Sequence, residues 1–215
     1  MHIKTVDDLC QKEYNNGFVF VSGALKTMAV SLSKMCNDLR LMASGPNKTG
    51  LEEIVLPAKQ NGSSIMPGKV NPVIPVVVTQ VAFAVIGNDT TITLAAEAGQ
   101  PELNAFEPVV FYKLFESLTC MKNAVRTLID NCIVGIRSNR ARCEALLQES
   151  VGTVTALYPY IGYKKAAELA KEALVRNVRI KDLVREKKIL DDKEPDKLLD
   201  PFAMTTPSKD SAEKR

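Results

Sequence analysis

The run IPVVVTQVAFAVIGNDTTITLAAE, residues 74–97, decides the fold. It is too long for a strand and its apolar residues do not alternate, so it reads as a helix from about Ile74 to Glu97. Pro75 suits the opening turn, where its missing N–H costs nothing. Apolar side chains occupy nearly every face, Val85 and Ile86 among them. Such a helix must be buried on all sides, by its own chain or by partner chains, which points to an oligomer. The wider window Val73–Leu94 is interrupted by Pro75, Gln80, Gly87, Asn88 and Asp89. A bilayer span tolerates that polar content poorly, so the expectation is a helix buried in protein, with no membrane partner.

Working outward, the apolar residues between Val21 and Leu41 fall at Leu25, Met28, Ala29, Leu32, Met35, Cys36 and Leu39, one face of a helix. Ala43-Ser44-Gly45-Pro46-Asn47 stops it. On the other side, Val110, Phe111, Leu114, Phe115, Leu118, Met121, Val125 and Leu128 predict a helix from about Glu107 to Cys132. A shorter one follows from about Asn139 to Val154. Helices this long suggest an elongated bundle. Near Tyr158-Pro159 the character changes to short amphipathic helices, Ala166–Val175, Ile180–Lys187 and Glu194–Leu199. The expected fold class is all-α, a long-helix bundle followed by a small helical C-terminal domain. Residues 1–17 are polar and close on the turn signal Asn15-Asn16-Gly17. The bundle domain is expected over 18–155, the small domain over 156–207, and a disordered polar tail over 208–215.

Composition narrows the function classes. The chain has 215 residues, 46% hydrophobic and 25% charged, with 28 Lys+Arg against 25 Asp+Glu and a net charge of +3. That is a globular composition with room for a sizeable core. Its near balance of charge gives no reason to expect nucleic acid as a partner. The basic stretch 164–193 is interleaved with acids and reads as a solvated face. Five cysteines at irregular spacing and a single His2 suggest no metal site. They read as buried or reduced thiols of a cytoplasmic protein. The opening residues lack the apolar run of a secretory signal.

Chemistry concentrates in residues 61–72, Asn-Gly-Ser-Ser-Ile-Met-Pro-Gly-Lys-Val-Asn-Pro, within a long irregular connection over 47–72. Gly62 and Gly68 let backbone approach a ligand closely. Ser63, Ser64, Lys69 and Asn71 place two hydroxyls, an ammonium and an amide together, just before a helix whose free N–H groups favour an anion. A phosphate-binding P-loop fails on spacing: five residues separate the glycines, and Val70 follows the Lys. The loop could hold a small carboxylate between Lys69, Asn71 and backbone amides, with a serine over the adjacent carbon. A serine oxygen becomes a usable base when oriented N–H groups and a cation stabilise its alkoxide. The plain alternative is a Gly/Pro-rich connection with a solvated Lys69 and an Asn71 that caps the next helix.

Gly62 to Pro72 resembles the signature loop of the aspartase/fumarase superfamily, whose members eliminate a group to release fumarate. Ser22-Gly-Ala-Leu-Lys26, Asn37-Asp-Leu-Arg-Leu41, Gly87-Asn-Asp89, Glu102-Leu-Asn104, Gly162-Tyr163 and Leu199-Asp-Pro-Phe-Ala-Met204 extend the resemblance over residues 18–207. Val73-Ile-Pro75, Gln80-Val-Ala-Phe83 and Ala95-Ala-Glu-Ala-Gly99 are similar to the aspartase branch rather than to class II fumarases. The resemblance implies reversible elimination of ammonia from L-aspartate to give fumarate, without an organic cofactor. It implies Ser63 as general base, with Ser64 as the alternative, and Lys69 and Asn71 as carboxylate grips. The loop backbone at Gly62, Ile65, Met66 and Gly68 would stabilise developing charge, and the assembly would be a homotetramer.

Members of the superfamily are much longer, and this chain resembles only their C-terminal half, so the resemblance implies a fragment inactive by itself. Val76 stands where a Glu is usual, and Tyr160 where a His is common. Two other readings compete: a class II fumarase acting on malate, and a non-catalytic helical oligomerisation module.

Overall fold

The computed structural model describes residues 15–45, 49–60, 70–100, 103–190, 194–200 and 204–205. The chain divides into two compact units at 139/140. Sequence alone places the break after 155. Helix 140–149 and the turns that follow belong to the second unit, because Val151, Val154 and Leu157 pack into its core.

The first unit is three long helices, α1 (Asn16–Met42), α2 (Val73–Glu97) and α3 (Glu107–Asn131), each about 40 Å long at 1.5 Å per residue. They run up, down and up, as three layers of apolar contacts show. Cys36 and Leu39 of α1 meet Val78 of α2 and Leu128 of α3 at one end. Ala29, Ala82, Val85 and Met121 fill the middle. Phe18 packs with Ile92, Ala95, Val110 and Leu114 at the other end. Alanines at these crossings let the backbones come close.

Helix ends explain themselves locally. α1 begins at Asn16, earlier than the periodicity indicates, since Asn15 turns left-handed (φ 52°) and its carbonyl accepts from the Phe18 and Val19 amides. At the far end Gly45 has φ +78°, and a Cβ there would lie 2.2 Å from the Gly50 backbone, so glycine is required. α2 opens one residue before Ile74, with Pro75 buried in its first turn. Between α2 and α3, buried Asn104 acts as a corner staple. Its amide donates to the Ala95 carbonyl at 3.0 Å, and its Oδ1 accepts from the Phe106 amide at 2.8 Å. Pro108 and Glu107 then suit the first turn of α3.

The connection expected to be wholly irregular contains a two-residue strand, β1 (Ile54–Val55). It pairs antiparallel with β2 (Arg137–Ser138), which follows a 3₁₀ turn over Ile133–Gly135. So short a pairing has no sequence signature, because its partner lies about 80 residues away. The all-α class stands.

The second unit holds α4 (Arg140–Glu149), a 3₁₀ stretch over Val151–Leu157, and α5 (Tyr158–Ile161), where one helix to Val154 is expected from sequence. Ser150 interrupts it: its Oγ accepts from the Gly152 amide, an alternative to continuing the helix. α6 (Tyr163–Arg176), α7 (Ile180–Glu186) and α8 (Glu194–Leu198) follow. Leu157, Leu169, Ala173, Ile180, Leu183 and Val184 form the core.

α2 is not covered on every side within this chain: Val85 and Ile92 are buried, whereas Phe83 and Leu94 are exposed. The thiols also divide, with Cys36 and Cys132 buried in one layer and Cys120 exposed on α3. Burial, with Cys132 beside it, pushes the Cys36 thiol up to about 11 against the opposing pull of Arg40.

Candidate functional site

At the end of the first unit where α1 stops and α2 starts lies a cavity of about 680 Å³. Three stretches build it. The last turn of α1 supplies Asn37 and Arg40, the β1 region supplies Ile54, Leu56 and Pro57, and the entry to α2 supplies Val70, Asn71 and Pro72. The pinched turn after α1 holds these stretches together. The Glu53 amide donates to the Met42 carbonyl at 2.9 Å, and the Asn139 amide donates to the Glu53 carbonyl at 2.8 Å.

Asn71 is half-buried at this cavity. The helix cap is Pro72, with no side-chain capping bond, so the plain reading of Asn71 as a cap does not hold. Its backbone carbonyl accepts from the Val73 amide at 2.9 Å, and the residue borders the cavity. Gly62, Ser63, Ser64, Ile65, Met66, Gly68 and Lys69 lie outside the described residues. Val76 is partly buried in the first turn of α2.

The residues that sequence reasoning did not single out are Asn37 and Arg40. Arg40 sits in the last turn of α1, where a cation is favoured by the helix dipole. Its Nη1 donates to Asn37 Oδ1 at 3.2 Å. The available signal was the stretch Asn37-Asp-Leu-Arg-Leu41, which carries part of the resemblance but by itself assigns neither residue a role.

Polar groups also cross the bundle further along. Asp89 is buried and accepts from Ser22 Oγ at 2.7 Å and from Lys26 Nζ at 2.6 Å. Next to it on α2, Asn88 donates to Glu116 Oε2 at 2.9 Å and to Ser117 Oγ at 3.1 Å. The Lys113 ammonium, with Asn88, holds the Glu116 carboxyl below the usual carboxylate range. By length and composition α1 and α2 could each cross a membrane, yet here they share a partly buried ion pair with each other.

The second unit has its own cavity, about 300 Å³, bordered by Gln148, Arg179, Lys181, Arg185 and Asp196. Its cations are already engaged. Lys181 and Arg185 both reach Asp196, at 2.5 and 2.6 Å, and Arg179 reaches Asp182 at 2.7 Å. A site whose charges are internally neutralised offers an anion little. Among the described residues there is no cluster of metal-ligating side chains.

Comparison with known proteins places this geometry. A family model described as Lyase matches residues 7–87, and one described as Fumarase C C-terminus matches residues 154–206. An aspartate ammonia-lyase of Pseudomonas fluorescens is 55% identical over 190 residues, which are 88% of this chain and 40% of that protein. A crystal structure of a fumarate lyase:delta crystallin from Brucella melitensis superposes with a TM-score of 0.84 at 50% identity, over 88% of this chain and 41% of that one. A class II fumarase from Schistosoma mansoni gives 0.82 at 34% identity, over 89% and 40%. The chain spans about two fifths of the length of the relatives it matches. By sequence and by fold, this chain is a homologue of the aspartate ammonia-lyases, a family of carbon–nitrogen lyases.

Proposed function

We propose that the chain contributes the proton-abstracting loop to an aspartate ammonia-lyase site, which interconverts L-aspartate with fumarate and ammonia. The carrying observation is the gap in identity: 55% to an aspartate ammonia-lyase against 34% to a class II fumarase. Ser63 removes the proton from the carbon next to one substrate carboxylate, with Ser64 as the alternative base. The electron pair left behind spreads into that carboxylate, which Lys69 and Asn71 hold, and the loop amides at Gly62, Ile65, Met66 and Gly68 stabilise the charge. The pair then forms the carbon–carbon double bond as the carbon–nitrogen bond breaks and ammonia leaves. No step calls for an organic cofactor or a metal ion. A cytoplasmic location goes with this reading.

The site is composite in this reading, and the assembly a homo-oligomer, a tetramer by family resemblance. Phe20, Phe83, Leu94 and Phe115 stand 79%, 61%, 62% and 62% exposed on the first unit. So much exposed apolar area supports a covering by further copies. Sedimentation at micromolar concentration should give a multimer, and a stable monomer overturns this part.

Fumarate formation, followed by its ultraviolet absorbance, tests the chemistry. The chain incubated alone with L-aspartate should give little product, and adding the segments its longer relatives possess should bring turnover. In that reunited enzyme, replacing Ser63 and Ser64 together by alanine should lower kcat by about 100-fold or more. Undiminished turnover refutes the loop as base, and preference for L-malate refutes the aspartase assignment.

A further inference from the structure

The stretch that leads into the 61–72 motif is fastened from two directions. Toward the end of α1, the Glu52 amide donates to the Ser44 carbonyl at 3.2 Å and the Glu53 amide to the Met42 carbonyl at 2.9 Å. Toward the end of α3, β1 pairs with β2, and the Glu53 carbonyl accepts from the Asn139 amide at 2.8 Å. Ile54 and Leu56 pack against the core layer that holds Leu128 and Cys132. The next tie is steric. Pro57 lies so close to Gly135, in the 3₁₀ turn after α3, that a Cβ on Gly135 would stand 2.5 Å from Pro57 Cγ.

Gly135 is not required by its own backbone. It lacks a positive φ and its surface is exposed, so only the pyrrolidine ring of Pro57 forbids a methyl group there. That ring is closed onto its backbone and cannot swing aside as a long side chain can. The missing Cβ lets Pro57 settle onto the turn, just before the chain enters the motif. We infer that Gly135 and Pro57 are positioning residues for the proposed base, fixing the point from which the chain sets out toward Ser63. The inference rests on the lyase reading, and in it both residues act through Ser63 without touching substrate. A shift of about 1 Å in a reacting group can cost about a hundredfold in rate. Asn71 is held separately, by its carbonyl and the Val73 amide at 2.9 Å, so the carboxylate grip does not depend on this contact.

The test compares Gly135→Ala with the double variant Gly135→Ala/Pro57→Ala, each assembled with the segments that its longer relatives possess and followed by fumarate absorbance. Gly135→Ala should lower kcat about tenfold or more, while KM for L-aspartate moves less than about twofold. In the double variant the ring is gone, and the new Cβ stands 3.4 Å from the Cβ of residue 57, so two methyl groups meet near contact. Its kcat should return to within about threefold of the unsubstituted value. Thermal melts of the chain alone should agree closely for all three forms, because Gly135 is exposed. If Gly135→Ala turns over like the unsubstituted enzyme, or if the double variant fails to recover, the positioning role is refuted while the lyase reading stands. A kcat loss that follows a lowered melting point in both variants makes the contact merely structural and refutes it as well. If the unsubstituted assembly forms no fumarate, the inference falls together with the lyase reading.

Discussion

The two units solve opposite problems. In the three-helix unit, several polar groups lie among the apolar layers and several aromatic groups stay outside them: Asp89, Ser22, Asn104 and Ser117 are buried, whereas Phe20, Phe83 and Phe115 face out. In the C-terminal unit the core is wholly aliphatic and ion pairs lie on the surface. There Arg176 bridges Glu172 and Glu186, and Lys187 reaches Glu172 from the next helix. The difference is one of specification. Three long apolar helices could slide past one another at little cost, because alanine and valine layers repeat along them. A buried Asp89 that must meet both Ser22 and Lys26 allows one register, as polar groups in coiled-coil cores do. A small unit with one compact core needs no such device. The outward aromatic face of the first unit remains for the proposed assembly to cover.

Three measurements would break or sharpen this contrast. The largest effect is expected at Leu183, fully buried in the aliphatic core: Leu183→Ala should cost about 3 kcal/mol in a urea titration. A loss well under 1 kcal/mol would mean that this core is not what holds the second unit. Next comes Lys26→Met, which leaves the buried Asp89 carboxylate with Ser22 alone. Because Lys26 is itself 46% exposed, the expected loss is about 2 kcal/mol, below that of a fully buried pair. No loss would remove the register argument. The smallest effect belongs to the surface pairs. Lys181, aided by Arg185, holds the Asp196 carboxyl below its ordinary value, and Lys187 and Arg176 do the same to Glu172. Their stabilisation is therefore present above the unfolded carboxylate range of about pH 4 and is lost as pH falls through the lower folded values. Asp196→Asn should show only a slight shift in urea midpoint at neutral pH, and about 1 M salt should erase it. A large, salt-resistant shift would show that these pairs do more than decorate the surface.

Much of the fold was legible because helical periodicity is a local signal. The stripe Val110–Leu128 predicts α3 to within a residue, and Ile74–Glu97 predicts α2 equally well. What escaped depends on distant partners. The β1–β2 pairing joins residues that no local pattern relates, and the break at Ser150 turns on a single side-chain oxygen. At the candidate site, the Gly62–Pro72 motif was readable because its residues are consecutive. Of them the structure adds the position of Asn71 on a cavity wall, and from another element it adds Asn37 and Arg40.

By itself, then, the order of residues determined where the helices run, which faces are apolar, and which loop carries hydroxyl, ammonium and amide groups together. Those properties follow from spacing along one backbone, so they need no third dimension. Only the tertiary structure decided that Asp89 pairs with Lys26, that α2 keeps an uncovered face, and that Arg40 shares a cavity with Asn71. The pairing and the shared cavity join groups far apart in the chain, and it is helix packing, not sequence distance, that brings such groups together.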